Sequence, residues 1–476
     1  MAQTTIASPQ TFSPAYNPLK FIVDSTNKNN TGFRYIFDVY AAGTATKIAE
    51  YKPLPTYGTG YGEEDLSKLL QSKVSWDLDT ELTSNYGAPN SFYAYDVKIG
   101  EEYVYEVAYT SNLTNASGSV QINVTNSFAA GDQVIITQAD GGVANPQLEG
   151  LHTVVSATGS AFVVNVNWST ITDAAIDGSV TYADKRKTIT RDITVVDNLI
   201  GYNAAFRWTD WASYDEDNYT LDDNTKLWLT NQPQSYRMTS GQDAWLNLRK
   251  PKLTHTVRFE LSDSSTFSKS ITSLRDIAQI AVGPNNNGLF SVDGIEWYDF
   301  WFDNSTTLSN QDSIKYRVYI DTRNLINEEY QILFLDRMGS FSSFAFQLKN
   351  YERGDISREV FNRRVEGYVN ASDNWTYSTE DFGFNQLNLN VVKNLDLNTD
   401  WMTEEMGQYY EELMTSPMTF LRKVSYDCTD GLVVSASTYQ PVIVNTSTYE
   451  IYQQRNKNLI RQNVNVRFAN QDNVNG

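Results

Sequence analysis

Aromatic rings and carboxylates are interleaved between Gly294 and Asp303, a combination that could bind or cleave a sugar chain. A glycosidase needs two carboxyl groups, about 5 Å or about 6.5–9.5 Å apart, and aromatic rings usually line its sugar site. Strand periodicity places Glu296 on one face of this segment and Trp297 and Trp301 on the other. Because acids and rings then occur on both faces, we favour a structural strand. The alternatives are a glycan contact through Glu296, Trp297 and Trp301, and catalysis by Glu296.

Few residues are available for nucleophilic or metal chemistry. The sequence holds two histidines, His152 and His255, and one cysteine, Cys428. Multi-histidine sites and paired-cysteine sites need more ligands than these three residues supply. The sequence also lacks the common phosphate-binding, dinucleotide-binding, serine-hydrolase and zinc-protease motifs. We therefore expect no cofactor, no metal site and no enzymatic activity, and we interpret both histidines as structural.

An excess of acid dominates the composition. The 476 residues include 57 Asp and Glu against 37 Lys and Arg, so the formal net charge is −20. Nucleic-acid binders depend on cationic contacts with phosphates, so we predict no specific nucleic-acid binding. Hydrophobic residues make up 41% of the chain, enough to bury sizeable cores. No apolar run of about 18 residues occurs and the opening residues do not resemble a secretory signal, so we expect no membrane anchor and no secretion.

Positive charge is concentrated in one segment, Leu348–Val365. On an acidic chain, such a segment could pair with an acidic face of a neighbouring copy, and pairing of this kind sets register and partner choice. The alternative is a solvated loop with local ion pairs. The candidate subunit contacts in this segment are Lys349, Arg353, Arg358, Arg363 and Arg364.

The segment from 403 to 414 is the best helix candidate. Thr403 can cap its N-terminus, and Pro417 stops the chain beyond its end. Apolar side chains recur at helical spacing and form one stripe. We favour packing of this stripe on its own domain, and the alternative is docking on a neighbouring subunit. The candidate contacts for that docking are Met406, Tyr409, Tyr410 and Leu413.

Short segments rich in β-branched and aromatic residues, separated by turn residues, recur along the chain. Phe33–Tyr40, Tyr103–Tyr109 and Gln331–Leu335 are examples. The pattern predicts a mainly β protein with several β-sandwich or barrel-like domains and few short helices. We predict an N-terminal β domain (1–110 plus 184–211), an inserted small β module (111–183), one or two central β domains (212–390) and a C-terminal α+β domain (391–476) with the helix at 403–414.

The segment 111–183 differs in composition from its surroundings. It is rich in Ala, Gly, Ser and Asn and nearly free of Tyr, Lys and Arg. Insertions are tolerated at exposed loop tips, so we expect this module to project outward. It is a candidate for a partner or glycan contact, without any residue that stands out.

Three groups of segments carry a resemblance to known proteins. They are Phe12–Leu19 with the strands that follow it, Phe334–Phe346, and Tyr409–Pro417 with Tyr439–Val444. Together they resemble virion and tail-apparatus proteins of tailed phages that infect Bacteroidetes, crAss-like phages in particular. The likeness extends over most of the chain outside 111–183 and contains no catalytic motif.

The resemblance implies a non-enzymatic structural part of the virion, in the tail barrel, its rings or its hub. Such parts are β domains that assemble into symmetric rings through heterologous contacts. The expected partners are copies of the same chain and other proteins of the tail and portal vertex. The expected role is to build the tail and support DNA delivery, in a virion made in the host cytoplasm. A receptor- or glycan-binding tail module is the alternative, and a polysaccharide-degrading enzyme is a further one.

Overall fold

The computed structural model describes residues 3–81, 83, 85–249, 255–271, 276–303, 310–321, 328–362, 367–378, 383–399, 401–426, 433–446 and 459–470. Strands account for 50% and helices for 7%, in several sheets that include a half-barrel. The prediction of a mainly β protein with few short helices is confirmed.

The strands follow one another with few helices between them. In chain order they begin with β1 (Gln3–Ala7), β2 (Phe12–Pro14), β3 (Lys20–Ser25), β4 (Arg34–Ala41), β5 (Lys47–Tyr51), β6 (Gly62–Asp65), β7 (Asn85–Gly87), β8 (Phe92–Val104), β9 (Glu106–Tyr109), β10 (Leu113–Ala116), β11 (Ser119–Ile122), β12 (Gln133–Gln138), β13 (Gly150–Thr158), β14 (Ala161–Asn167), β15 (Gly178–Tyr182) and β16 (Lys187–Tyr202). Helix α1 (Ser67–Gln71) lies between β6 and β7, and a 3₁₀ turn, Trp168–Thr170, follows β14.

The remaining strands are β17 (Ser235–Met238), β18 (Trp245–Arg249), β19 (His255–Leu261), β20 (Thr266–Ile271), β21 (Ile277–Ala281), β22 (Trp297–Asp303), β23 (Tyr316–Ile320), β24 (Glu328–Leu335), β25 (Phe341–Phe346), β26 (Tyr351–Asn362), β27 (Tyr368–Val369), β28 (Trp375–Thr376), β29 (Phe384–Asn398), β30 (Met402–Thr403), β31 (Thr419–Tyr426), β32 (Val433–Ala436), β33 (Gln440–Val444), β34 (Leu459–Ile460) and β35 (Asn463–Phe468). The helices of this part are α2 (Trp208–Trp211), a 3₁₀ turn at Glu216–Tyr219, and α3 (Glu404–Thr415).

The chain forms two compact units. The first contains Met1–Ser13, Pro18–Leu70 and Ala94–Gly201, and the second contains Pro14–Asn17, Gln71–Tyr93 and Tyr202–Gly476. Residues 71–93, which fall within the predicted N-terminal domain, therefore belong to the second unit.

The first unit contains three sheets. Their strand orders are β1-β3-β6, β2-β16-β8-β4-β5 and β10-β11-β14-β13-β12-β15-β9. The last sheet encloses its own apolar core, which includes Val120, Ile136 and Phe162. Because β9 pairs with β15, this sheet begins at Glu106, ahead of the boundary predicted for the inserted module.

Three carboxylates of the five-stranded sheet, Asp38, Glu50 and Glu102, are each shared between cations. The cations are Lys47, Lys52, Lys187 and Arg191. The hydrogen bond from Lys47, at 2.7 Å, is the main cause that lowers the pKa of Glu50 to about 2. The ionised carboxylates thereby hold neighbouring strands of the sheet together.

Acid should weaken the first unit through this network. The pKa of Glu50 falls from about 4.5 in the unfolded chain to about 2 in the folded chain, so its contribution to stability is present above pH 4.5 and is lost as the pH falls towards 2. We expect the free energy of unfolding, measured by urea titration, to fall less steeply over this window in Glu50→Gln than in the wild type. Glu106→Gln, an exposed carboxylate on β9, is the control and should keep the wild-type slope. An unchanged slope in Glu50→Gln would contradict this account.

The second unit contains two large sheets and two small ones. The five-stranded sheet has the order β17-β23-β22-β19-β20. The eleven-stranded sheet has the order β26-β29-β35-β33-β31-β24-β25-β18-β21-β7, with β32 paired to β31. The small sheets are the pairs β27-β28 and β30-β34. The core against the five-stranded sheet is aromatic and includes Trp228, Phe259, Phe300 and Tyr316.

A buried ion pair lies within the eleven-stranded sheet. Arg422 on β31 places Nη1 2.5 Å from Oδ2 of Asp243, and both side chains are almost fully buried. Arg422 also donates to Oε1 of Gln331 at 2.8 Å, and Tyr439 donates to Asp243 at 2.6 Å. Burying two charges is unfavourable unless such partners surround them, and here they do.

Removing one member of this pair should be strongly destabilising. We expect Arg422→Met to lower the free energy of unfolding by about 3–5 kcal/mol, because Asp243 would remain buried without its cation. Arg353→Met is the matched control, since Arg353 pairs with Asp396 on an exposed strand, and we expect it to cost less than about 1 kcal/mol. Chemical denaturation of both variants measures the difference, and equal losses would contradict the prediction.

Candidate functional site

A two-stranded ribbon extends from the edge of the eleven-stranded sheet. β26 pairs with β29 along its whole length, from Tyr351 opposite Asp396 to Asn362 opposite Phe384. On its other side, β29 pairs with β35 only from Asn394 to Asn398. Within the described residues, β29 between Phe384 and Lys393 therefore pairs with β26 alone. A segment of this length spans about 33 Å in extended form.

The chain at the far end of the ribbon forms a second, smaller hairpin. Tyr368 pairs with Thr376, and Val369 pairs with Trp375. The side chains of Tyr368, Val369 and Trp375 are exposed, and so is that of Tyr377 beside them. The Trp375 and Tyr377 rings lie 5.8 Å apart and form an aromatic patch.

The ribbon and its small hairpin expose an unusual amount of apolar surface. All twelve residues of β26 are exposed. Within the described residues, ten of the 23 large hydrophobic side chains that are exposed lie in this part of the chain. They are Tyr351, Ile356, Val360, Phe361, Tyr368, Val369, Trp375, Tyr377, Phe384 and Leu387. Soluble monomers seldom expose this many large apolar side chains together, and such a patch is typical of an interaction surface.

The two faces of the ribbon differ in chemistry. Ile356 is opposite Val391 and Arg358 is opposite Leu389, so these residues share one face. The apolar positions of that face continue along β29 into the buried core. On the opposite face, Ser357 is paired with Asn390, between the pairs Asp355–Val392 and Glu359–Asn388. The first face carries most of the aliphatic side chains, together with Arg358 and Lys393, and is called the apolar face. The other face is mostly polar.

The basic segment of the sequence coincides with this ribbon. The structure places it in a strand, so the alternative of a solvated loop is wrong for residues 351–362. Arg353 pairs with Asp396 of β29, and Arg358 is exposed on the apolar face. Lys349 is exposed just before β26, with Nζ 5.0 Å from the centre of the Tyr351 ring. Arg363 and Arg364 lie outside the described residues. Their role as subunit contacts remains a prediction.

The apolar stripe of α3 packs inside its own unit. The Thr403 side chain accepts a hydrogen bond from the backbone N–H of Met406 and caps the helix. The side chains of Tyr409, Tyr410 and Leu413 are at most 3% exposed and pack in the core under the eleven-stranded sheet. Docking of these three side chains on a neighbouring subunit is therefore wrong. Met406 is half-buried and lines an open cavity of about 470 Å³.

The predicted glycan contacts are mostly covered. The guanidinium carbon of Arg317 lies 4.1 Å from the centre of the Trp297 ring. Trp301 is 5% exposed, and Lys315 Nζ lies 4.1 Å from the centre of its ring. Trp301 therefore has no open ring face for a sugar, and the two rings form cation–π contacts instead. Glu296 is exposed just before β22.

One carboxylate that the sequence analysis missed has a shifted pKa. Burial, with the nearby carboxylate of Glu412, raises the pKa of Asp336 to about 7. Its Oδ1 accepts from the backbone N–H groups of Met338 and Ser340, both at 2.9 Å, and its Oδ2 accepts from Thr230 Oγ1 at 2.7 Å. Because protein groups donate hydrogen bonds to both of its oxygens, Asp336 stabilises a turn. It is therefore poorly placed to exchange a proton with a substrate.

Metal and nucleophile chemistry gains no support from the described part of the chain. No group of three or more His, Cys, Asp or Glu residues there is arranged to hold a metal ion. His152 Nε2 lies 3.0 Å from the carbonyl oxygen of Leu148, which fits a structural role. The side chain of His255 and all of Cys428 lie outside the described residues. Among the helices described, none has the length and apolarity needed to cross a membrane.

Comparison with known proteins gives no family. No protein-family model matches the chain, and no curated protein matches it.

The ribbon side chains should contribute little to the stability of the chain that carries them. Leu387 and Leu395 lie on the same strand, but Leu387 is 69% exposed and Leu395 is 1% exposed. We expect Leu395→Ala to lower the free energy of unfolding by about 2–5 kcal/mol. Leu387→Ala should change it by no more than about 0.5 kcal/mol. Urea denaturation of dilute protein compares the two, and a large loss in Leu387→Ala would show that the ribbon is part of the fold's own core.

Proposed function

We propose that this chain is a non-enzymatic structural protein of a phage tail, which assembles in multiple copies into a ring or hub. The observation that carries the proposal is the ribbon of β26 and β29, whose apolar side chains are left uncovered by the described part of the chain. The resemblance of the sequence to tail-apparatus proteins of crAss-like phages supplies the biological setting.

The chemistry of the ribbon favours a permanent protein contact over a substrate site. Its exposed residues are mainly aliphatic and aromatic along a long edge, rather than gathered around a concave pocket. Such an edge is stable in water only when another chain pairs with it or covers it. Copies of the same chain and other proteins of the tail and portal vertex are the partners that fit this role.

The charge of the chain suits a part of a DNA conduit. A formal charge of −20 repels DNA, so a wall built from such chains would limit sticking during DNA delivery. The same charge disfavours specific nucleic-acid binding, which would need a cationic surface.

Quantitative mass spectrometry of purified particles tests this function. We expect the protein in the particle, at a copy number that is a multiple of the tail's rotational symmetry when scaled to the major capsid protein. In phage complementation, Ile356→Asp should prevent tail assembly, because it places a charge on the apolar face of the ribbon. Asn388→Asp adds the same charge on the polar face and is the control. Absence of the protein from particles would overturn the proposal.

A glycan-binding tail module is the second candidate, and one observation favours it. The exposed rings of Trp401 and Tyr319 and the side chain of Arg237 line the open cavity of about 470 Å³ in the second unit. Exposed rings beside polar groups are typical of sugar sites. Glycan-array binding that is lost in Trp401→Ala would favour this candidate, and intact assembly without any glycan binding would count against it.

A further inference from the structure

The ribbon has two strand edges without a partner strand in the described structure. Among the described residues, no strand pairs with the outer edge of β26 along Tyr351–Asn362 or with the outer edge of β29 from Phe384 to Val392. Each edge presents backbone N–H and C=O groups that a further strand could pair with. A partner that covered one edge would leave the other open.

We propose that the ribbons of neighbouring copies pair edge to edge, with β26 of one copy on β29 of the next, and close into one antiparallel β-barrel. The inference rests on the proposed function, because it needs several copies in a ring. Both edges belong to the same chain, so one heterologous contact, repeated around the ring, satisfies both of them. Closure leaves no edge exposed.

The strand directions agree with rotational symmetry. β26 and β29 run antiparallel within one copy. Copies related by rotation about the ring axis keep their ribbons in the same orientation, so β29 also runs antiparallel to β26 of the next copy. An antiparallel pairing of about ten residues forms about ten backbone hydrogen bonds, which is the number that a typical protein interface contains.

The side chains also fit lateral pairing. In the register that the two strands have within the chain, Ile356 of one copy lies beside Val391 of the next, and the stagger of a closed barrel moves this contact along the same face. Side chains on the same face of adjacent strands contact each other, so Ile356, Leu389 and Val391 of neighbouring copies would meet on one face, beside Arg358.

Disulfide cross-linking between two co-expressed variants tests the pairing. In a Cys428→Ser background, one variant carries Ser357→Cys and the other carries Asn390→Cys, two positions that are opposite each other on the polar face. Asn388→Cys and Asn394→Cys replace Asn390→Cys to cover a shifted register. We expect mild oxidation to give dimers that contain one copy of each variant, identified by isotope labelling of one and intact-mass spectrometry.

Control variants distinguish pairing of β26 with β29 of the next copy from other strand pairings between copies. Ser357→Cys with Val391→Cys places the two thiols on opposite faces and should not cross-link. Dimers of Ser357→Cys alone would indicate two β26 strands paired about a two-fold axis and would overturn the barrel. If no mixture cross-links although particles contain the protein at a ring copy number, the barrel is wrong and the proposed function stands. Absence from particles would instead remove the proposed function.

Discussion

The exposed ribbon depends on one constraint, which is that β29 has described neighbouring strands on both sides only near its C-terminal end. Between Asn394 and Asp396 the strand pairs on both sides, and Leu395 and Leu397 are buried in the core. Further out it has β26 as its one described neighbour. Because side chains alternate along a strand, the face that is apolar in the core remains apolar where the core ends. An isolated two-stranded ribbon has marginal stability in water, so a partner would stabilise it more than any contact within the chain.

Buried charges inside the units are paired, whereas the net charge of the chain acts between copies. Buried charges such as Asp243 and Asp38 are paired with arginine or lysine within the chain. The excess of acid therefore makes chains of the same kind repel each other at long range. The proposed assembly therefore depends on short-range terms, namely backbone hydrogen bonds and burial of apolar surface.

The segment from Gly294 to Asp303 has the rings and carboxylates of a sugar site, but its rings pack within the fold. Tyr298, Phe300 and Phe302 are buried on one side of β22, where the five-stranded sheet packs on its aromatic core. On the other side, Arg317 of β23 lies over the ring of Trp297, and Lys315, just before β23, lies over the ring of Trp301. A ring surrounded in this way stabilises its own sheet and has little surface left for a ligand.

The sequence by itself determined the features that depend on near neighbours. Strand alternation, turn residues and the Thr403 cap are set by residues close in the chain, which is why the mainly β class and the helix beginning at Glu404 could be predicted. Only the tertiary structure decided that Tyr409, Tyr410 and Leu413 are internal and that the basic segment is a strand of a free ribbon. Those outcomes depend on pairings such as Ile356 with Val391, between residues far apart in the chain. An alternating segment has the same pattern whether a core, water or another copy covers its apolar face, so its environment cannot be predicted from the pattern alone.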